Sequence, residues 1–334
     1  MTLQFRTSSS PTSFAGGNEL GGALLGQRLP GTAPGWPLQA ICAPLLGASG
    51  ATIQETWHRA SPSLHGVSEG IHWRRADDTL FGVIDLDEAE FAAVAGGSPL
   101  QAASEAAYDR IFRLLDAQQL PHLWRVWNYM PNINAESHGL ERYRQFNIGR
   151  QDAFIAYHRG ATGNVPAACA IGLADGPLSI AFLAGATAAV PVENPRQVSA
   201  YNYPAEYGPR APTFSRAALV HPPGQEILFI SGTASIVGHQ TVHPGDVAGQ
   251  CRETMANIAA IVAEVNRVAR SRAYALDELV YRVYVRHAAD HPAIRETLAP
   301  LVGGAEVLYV QADICRAGLL VEIEAMATHS LGRG

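Results

Sequence analysis

The stretch Leu319-Leu320-Val321-Glu322-Ile323-Glu324-Ala325-Met326-Ala327 decides how this chain is read. It is a strand-forming run interrupted by two acids. Glu322 and Glu324 lie two residues apart, so a strand carries both on one face. Upstream, Glu226-Ile227-Leu228-Phe229-Ile230-Ser231 reads as a strand, with Gly232 where the backbone needs freedom. Residues 247–269 follow as a helix, with Cys251, Met255, Ile258, Val262 and Val265 on one side. Val280-Tyr281-Arg282-Val283-Tyr284-Val285-Arg286 is the next strand, and alternation puts Arg282, Tyr284 and Arg286 on a shared face. A short helix from His291 to Leu298, a strand over 305–312 and the closing strand over 319–327 complete the unit.

An older-looking copy of this order precedes it. Leu80–Leu86 is a strand, and Pro99–Gln118 a helix whose apolar stripe includes Ala103, Ala106, Ile111, Leu114 and Leu115. His122–Met130 is a second strand, Pro131-Asn132-Ile133-Asn134 a turn, and Gly139–Phe146 a short helix carrying Arg142 and Arg144. Further strands fall in 165–184. The matching order predicts an internal duplication, with Arg125-Val126-Trp127-Asn128-Tyr129 parallel to Arg282-Val283-Tyr284-Val285-Arg286. Residues 6–36, rich in Ser, Gly, Pro and Thr, predict loops, one early strand and a mobile start. Gly21, Gly22 and Gly26 lack the spacing and the lysine of a phosphate loop and read as turn glycines.

Composition narrows the chemistry. The 334 residues suit two domains, and 47% hydrophobic against 16% charged residues supports a sizeable core. The net charge of −6 and the lack of a basic run argue against nucleic acid. Apolar runs such as Ala181–Ala186 are too short to span a bilayer, so no membrane association is expected. The chain has no lysine, and all 24 of its Lys-plus-Arg total are arginine. Schiff-base, pyridoxal and Walker-type lysine chemistry are therefore excluded, and anions must be met by guanidinium forks, hydroxyls or backbone N–H groups. Cys42, Cys169, Cys251 and Cys315 form no Cys-x-x-Cys pair, and the N-terminus lacks a signal-peptide pattern, so free thiols in a cytoplasmic protein are expected. His239 with His243, and His287 with His291, are four apart but have no third ligand at sensible spacing, so no metal is expected. Two linked units bearing an acid and several arginines suggest an enzyme for a small, doubly anionic organic acid.

The second unit resembles the Rid (YjgF) fold over most of 208–330, through Ala211-Pro212-Thr213-Phe214-Ser215-Arg216-Ala217, Phe229-Ile230-Ser231-Gly232, Gln250, Asn257-Ile258 and Val321-Glu322-Ile323-Glu324-Ala325. Beyond about residue 35 the chain resembles the chorismatases, whose N-terminal hallmark is similar to Arg125–Tyr129 continuing through Glu141-Arg142-Tyr143-Arg144-Gln145-Phe146 to Gly149-Arg150. The resemblance implies an α/β (α+β) architecture of two Rid-like, chorismate-mutase-like units with mixed sheets packed by helices. The degenerate N-terminal unit would span 1–195 and the catalytic unit 196–334. It implies cofactor-independent cleavage of chorismate to pyruvate and 3-hydroxybenzoate, with 4-hydroxybenzoate or a dihydroxy-cyclohexadiene carboxylate as further products in the family. Rid domains form trimers with clefts between subunits, so a homotrimer is one expected assembly.

Glu322 is then the expected general acid: burial on a strand would raise its pKa in the needed direction, with Glu324 as its rival. Cys315, seven residues earlier, sits where the resemblance places the cysteine of hydroxybenzoate-forming types. Arg142, Arg150, Arg210 and Arg286 are the candidate partners of the two substrate carboxylates. Tyr201 and Tyr207, from the aromatic segment joining the units, offer hydroxyls and rings. Ala234 is expected to shape the ring pocket. A Rid-type imine deaminase and a non-catalytic sensor of small acids are the alternatives.

Overall fold

The computed structural model describes residues 2–9, 17–27, 35–47, 51–93, 97–160 and 162–332. Along the chain run β1 (Leu3–Ser8), β2 (Glu19–Gly26), β3 (Leu38–Cys42), β4 (Thr52–Arg59), β5 (Ser63–Ser68), β6 (Ile71–Ala76) and β7 (Thr79–Leu86). Then come α1 (Pro99–Ala117), β8 (His122–Pro131), the small β9–β10 hairpin (Glu136–Ser137, Leu140–Glu141), α2 (Arg142–Ala156), β11 (Ala167–Leu173) and β12 (Leu178–Gly185). The rest comprises β13 (Val190–Val192), β14 (Ala217–Val220), β15 (Gln225–Ala234), the β16–β17 hairpin (Ile236–Val237, Gln240–Thr241), α3 (Val247–Val268), β18 (Val280–Val285), α4 (His291–Val302), β19 (Val307–Gln311), β20 (Asp313–Ile314) and β21 (Val321–Ser330).

The duplication is visible in the sheets. A seven-stranded sheet contains the order β11-β8-β12-β7, and a six-stranded sheet contains β19-β18-β21-β15. In each, the first pair is parallel and the next two antiparallel. Helices α1 and α2 cover the outer face of the first sheet through Leu100, Ile111, Leu115 and Phe154, and α3 and α4 cover the second through Ile258, Val262, Ile294 and Leu298. The two inner faces meet in a shared core that includes Trp127, Tyr129, Cys169, Phe229 and Tyr284. A four-stranded sheet, β1-β4-β2-β3, closes this core with Leu25, Ile41 and Trp57. Both long helices start where the sequence provides a cap: Ser98 accepts from Gln101 N ahead of Pro99, and Asp246 accepts from Gly249 N.

Three expectations change. The short helix at 139–146 is α2, which begins at Arg142 and runs on to Ala156. The N-terminal region holds β1, β2 and β3, and the expected mobile start concerns in part residues 10–16 and 28–34, outside the described residues. Gly21 and Gly22 are strand residues: a Cβ would lie 2.1 Å from the Phe81 ring at Gly21 and 2.0 Å from Glu55 O at Gly22. Close packing therefore explains these glycines, with no turn involved.

Packing on both faces also explains β21. Val321, Ile323, Ala325 and Ala327 enter the core beneath α3 and α4. By alternation Glu322, Glu324 and Met326 point at the other sheet, and Met326 packs against the shared core. A strand that would be half-exposed in a lone unit is thus buried on both sides. Glu322 is 3% exposed and Glu324 5%.

Candidate active site

Glu322 is the second residue of β21, flanked by Ala234 on β15 and Tyr284 on β18. Its carboxylate needs room that β15 provides. The β15–β21 register shifts between Ile230 and Thr233, and Gly232 sits in that irregularity. A Cβ on Gly232 would lie 1.9 Å from Glu322 Oε1, so any larger residue there must displace the acid. Cys315, in the loop after β20, donates its thiol toward Glu322 Oε2 at 3.8 Å. Burial, reinforced by the nearby Glu324 charge, pushes the Glu322 carboxyl up to about 8. Burial and the Glu322 charge raise the Cys315 thiol, so it remains a thiol at neutral pH.

Glu322 and Cys315 open onto a cavity of about 240 Å³ walled by both units: Tyr143 and Arg144 from α2, Phe214 and Arg216 before β14, and Tyr203, Tyr207 and Arg316. A smaller recess of about 30 Å³ lies beyond the acid, where Arg150, Cys169 and Ala170 meet Gly232, Cys315 and Glu322. The cavity is cationic and aromatic. The Arg316 guanidinium lies 4.2 Å from the Tyr207 ring centre and 5.1 Å from that of Tyr203. Its Nη1 donates to His239 O at 2.8 Å, while its buried Nη2 has no hydrogen-bond partner among the described residues. Arg216 stacks on Phe214 and Tyr203, donates through Nη2 to Val198 O and Tyr203 OH, and keeps an unpartnered buried Nε. Arg150 is 1% exposed, donates to Asn147 Oδ1 at 3.1 Å and also has a free buried Nε. Buried donors without acceptors are costly unless a ligand or water completes them. An arginine-lined pocket with one uncharged acid can hold an anion and protonate it.

The structure brings together Glu322, Cys315, Arg150, Tyr207 and Ala234 from the residues singled out by sequence. It places the other four elsewhere. Arg142 pairs with Glu88 through both terminal nitrogens and donates Nε to Pro131 O, so its fork is already used outside the cavity. Arg210 is half-exposed and pairs with Asp152. Tyr201 packs against the core under α1 and α2. Arg286 is a brace: it donates to the carbonyls of Ile314, Arg316 and Leu319 and pairs with Asp313, fixing the loop that presents Cys315 and Arg316. Alternation correctly put Arg286 on the face of Tyr284, but one residue past the strand's end it turns into the loop.

Sequence reasoning missed Arg316, Tyr143, Tyr203 and Cys169 and did not assign a role to Arg216. Arg316 carried one usable signal, its position directly after Cys315. Cys169 enters the recess from the other sheet, and nothing local marks it. Glu324 has a different environment. It accepts from Arg125 Nη2 and from Trp127 Nε1 at 3.2 Å, and lies 3.1 Å from Arg282 Nη1. The expected parallel between the two arginine-bearing strands is also offset. Tyr129 pairs with Ser179 and Tyr284 with Glu322, and the two tyrosine hydroxyls meet at 2.6 Å. The sheet registers thus align Tyr129 with Tyr284 and Ser179 with Glu322. The first unit lacks the acid at that position, and Gln39 of the four-stranded sheet donates to Ser179 Oγ there at 3.2 Å.

Fold and site together define a duplicated α/β protein with an acid-bearing, arginine-lined cavity between its units. A family profile described as "Chorismatase FkbO/Hyg5-like, N-terminal" matches residues 55–184. A chorismatase of Streptomyces rapamycinicus is 42% identical over 284 residues, covering 82% of each chain. A 3-hydroxybenzoate synthase of Streptomyces hygroscopicus is 36% identical over 286 residues, covering 81% of this chain and 80% of the relative. A chorismatase crystal structure superimposes with a TM-score of 0.85 at 34% identity, covering 98% of both chains. The chain belongs to the chorismatase family.

Proposed function

We propose that this protein converts chorismate to 3-hydroxybenzoate and pyruvate without a cofactor. The observation that carries the reading is the burial of Glu322, uncharged at neutral pH, against a cavity whose arginines keep unpartnered donors. Chorismate presents one carboxylate on its ring and one on the enolpyruvyl ether. Arg316 and Arg216 suit these groups because both line the cavity and their planes are already ordered by stacking on aromatic rings. Arg150 serves the deeper recess. Tyr207 and Ala234 border the ring.

Glu322 delivers its proton to the ether's methylene carbon, giving an oxocarbenium-like species. The ring hydroxyl oxygen attacks the neighbouring ring carbon, the ether C–O bond breaks, and pyruvate leaves. The hydroxyl proton returns to Glu322, leaving an arene oxide. Opening of the oxide with loss of a ring hydrogen yields the phenol, and no water is consumed. Opening at one carbon gives 3-hydroxybenzoate and at the other 4-hydroxybenzoate. Cys315, an un-ionised thiol beside the acid, is positioned to steer this step.

The catalytic unit is proposed as 196–334 and the supporting unit as 1–195. The helix pairs support this division, while two strands cross it: β13 joins the C-terminal sheet and β20 the N-terminal one. Among the described residues no helix is long and apolar enough to cross a membrane, and a cytoplasmic location is proposed from the free cysteines. Homotrimeric assembly is proposed from the resemblance to Rid domains and is tested by light scattering.

The deciding assay incubates purified protein with chorismate and a chelator, couples pyruvate release to lactate dehydrogenase and resolves the aromatic product by chromatography. Equimolar pyruvate and 3-hydroxybenzoate are expected. No pyruvate release would overturn the reading.

A further inference from the structure

The inter-sheet core contains a charged cluster that the reaction scheme does not use. Arg125 and Trp127 come from β8, Arg282 from β18, Glu324 from β21 and Glu55 from β4. All lie between the two sheets, and the four charged members are 2–8% exposed. Arg282 also donates to Tyr129 OH at 2.9 Å and Tyr284 OH at 3.2 Å. Burying four charges is expensive, and apolar residues of similar shape would often be at least as stable. A function beyond cohesion is therefore worth seeking.

The cluster's position suggests one. Glu324 shares the inward face of β21 with Glu322, about 7 Å away at ordinary strand spacing. The groups that pair with the Glu324 carboxylate are the Arg125 and Arg282 guanidiniums and the Trp127 N–H. Among the described residues Glu322 has no ion-pair partner. We propose that Glu324 is a positioning residue for catalysis: clamped as an anion by Arg125 and Arg282, it supplies the fixed negative charge that keeps the proton on Glu322.

The other groups around Glu322 do not provide this. Arg150 from α2 and Arg216 before β14 would favour loss of the proton, as would Arg316 and Arg286 in or behind the Cys315 loop. Arg125 acts in the same sense, at longer range through the clamp. The hydroxyls of Tyr143 and Tyr284 and the thiols of Cys169 and Cys315 are uncharged, their ionisation opposed mainly by burial. Tyr203 and Tyr207 face the cavity as rings. Glu141, the other acid at the cavity, pairs with Arg144 at 3.3 Å and bears on the Cys315 thiol. Glu324 is thus the negative charge that offsets the substrate-binding arginines. Burial and the Glu324 charge are the leading causes of the upward shift at Glu322.

This inference rests on Glu322 being the acid, and its test does not require turnover. The full-length protein, labelled with 13C at glutamate carboxyls, is titrated by NMR, with E322Q assigning the Glu322 signal. E324Q is expected to lower the Glu322 midpoint by about one pH unit, the effect of one charge at that distance in a partly polarisable interior. R125M, which removes a cation from the clamp, is expected to raise it. The double variant R125M/E324Q removes a compensating pair; it is expected to fold if either single variant does not, and to titrate between them. The high-pH limb of kcat should move in the same directions. Equal loss of activity at every pH with an unmoved Glu322 midpoint would make Glu324 purely structural and overturn the proposal. Shifted midpoints in a protein that leaves chorismate intact would uphold the coupling and remove the proposed function instead.

Discussion

Glu322 and Glu324 occupy one strand, one face and nearly the same depth, yet their surroundings differ. Around Glu324 the neighbouring sheet supplies Arg125 and an indole N–H, and the adjacent strand β18 of its own sheet supplies Arg282. Around Glu322 lie the space left by Gly232 on the adjacent strand β15, the Cys315 thiol, and a cavity lined by Arg144, Arg216 and Arg316. The first carboxylate is paired with two guanidiniums and an indole. The second is left to hold a proton. Burial alone does not make an acid; burial without a cationic partner does.

The most direct way to break this contrast is Glu322→Gln. Losing the proposed general acid should lower kcat roughly 10²–10⁴-fold while a benzoate analogue still binds by calorimetry. Retained turnover would move the acid elsewhere. The next effect comes from Gly232→Ala, whose methyl competes with Glu322 Oε1 for the same space. Displacing the acid by an ångström or so should cost kcat on the order of 10²-fold. Arg316→Ala should raise KM about tenfold or more by removing a charge-assisted contact, whereas Arg142→Ala should leave KM alone and only lower the melting temperature. If Arg142→Ala raises KM instead, the cavity has been drawn in the wrong place.

The pH dependence sharpens the comparison further. With its folded pKa raised to about 8 from 4.5, Glu322 is protonated below that value. kcat should therefore fall as pH rises past about 8. Stability carries the same sign, since the folded state binds this proton more tightly than the unfolded chain does. The contribution is fully present below pH 4.5 and is lost as pH climbs to about 8, at up to about 1.4 kcal/mol per pH unit. Denaturant melts of E322Q should lack that slope. The smallest expected change in rate belongs to Cys315→Ala, read in the products. Turnover should stay within a few-fold, the size of losing one weak contact, while the ratio shifts toward the hydrolysed diene. An unchanged ratio would remove the thiol from the product-determining step.

Much of this was legible in the chain, and the limits were local. Strand and helix positions followed from periodicity and caps, because those signals are carried by residues a few positions apart. Alternation put Glu322 and Glu324 on one face but could not separate them, since their difference comes from Arg125 and Trp127, some 200 positions earlier. The arginines were the weakest part. Arg142, Arg210 and Arg286 look as suitable in sequence as Arg216 and Arg316, yet each is already engaged by an acid or a set of carbonyls. Gly21 and Gly22 looked like turn residues because their neighbours, Phe81 and Glu55, are distant in sequence.

The sequence by itself determined the duplicated α/β order, the lysine-free anion chemistry and the pairing of a strand-borne acid with a nearby cysteine. Those features depend on residue type and short-range spacing. Only the tertiary structure decided which glutamate is ion-paired, which arginines line the cavity, and that one unit's acid position is a serine met by Gln39. These are outcomes of what one sheet presents to the other across a shared core, where charge, exclusion of water and available volume are set jointly by segments far apart in the chain.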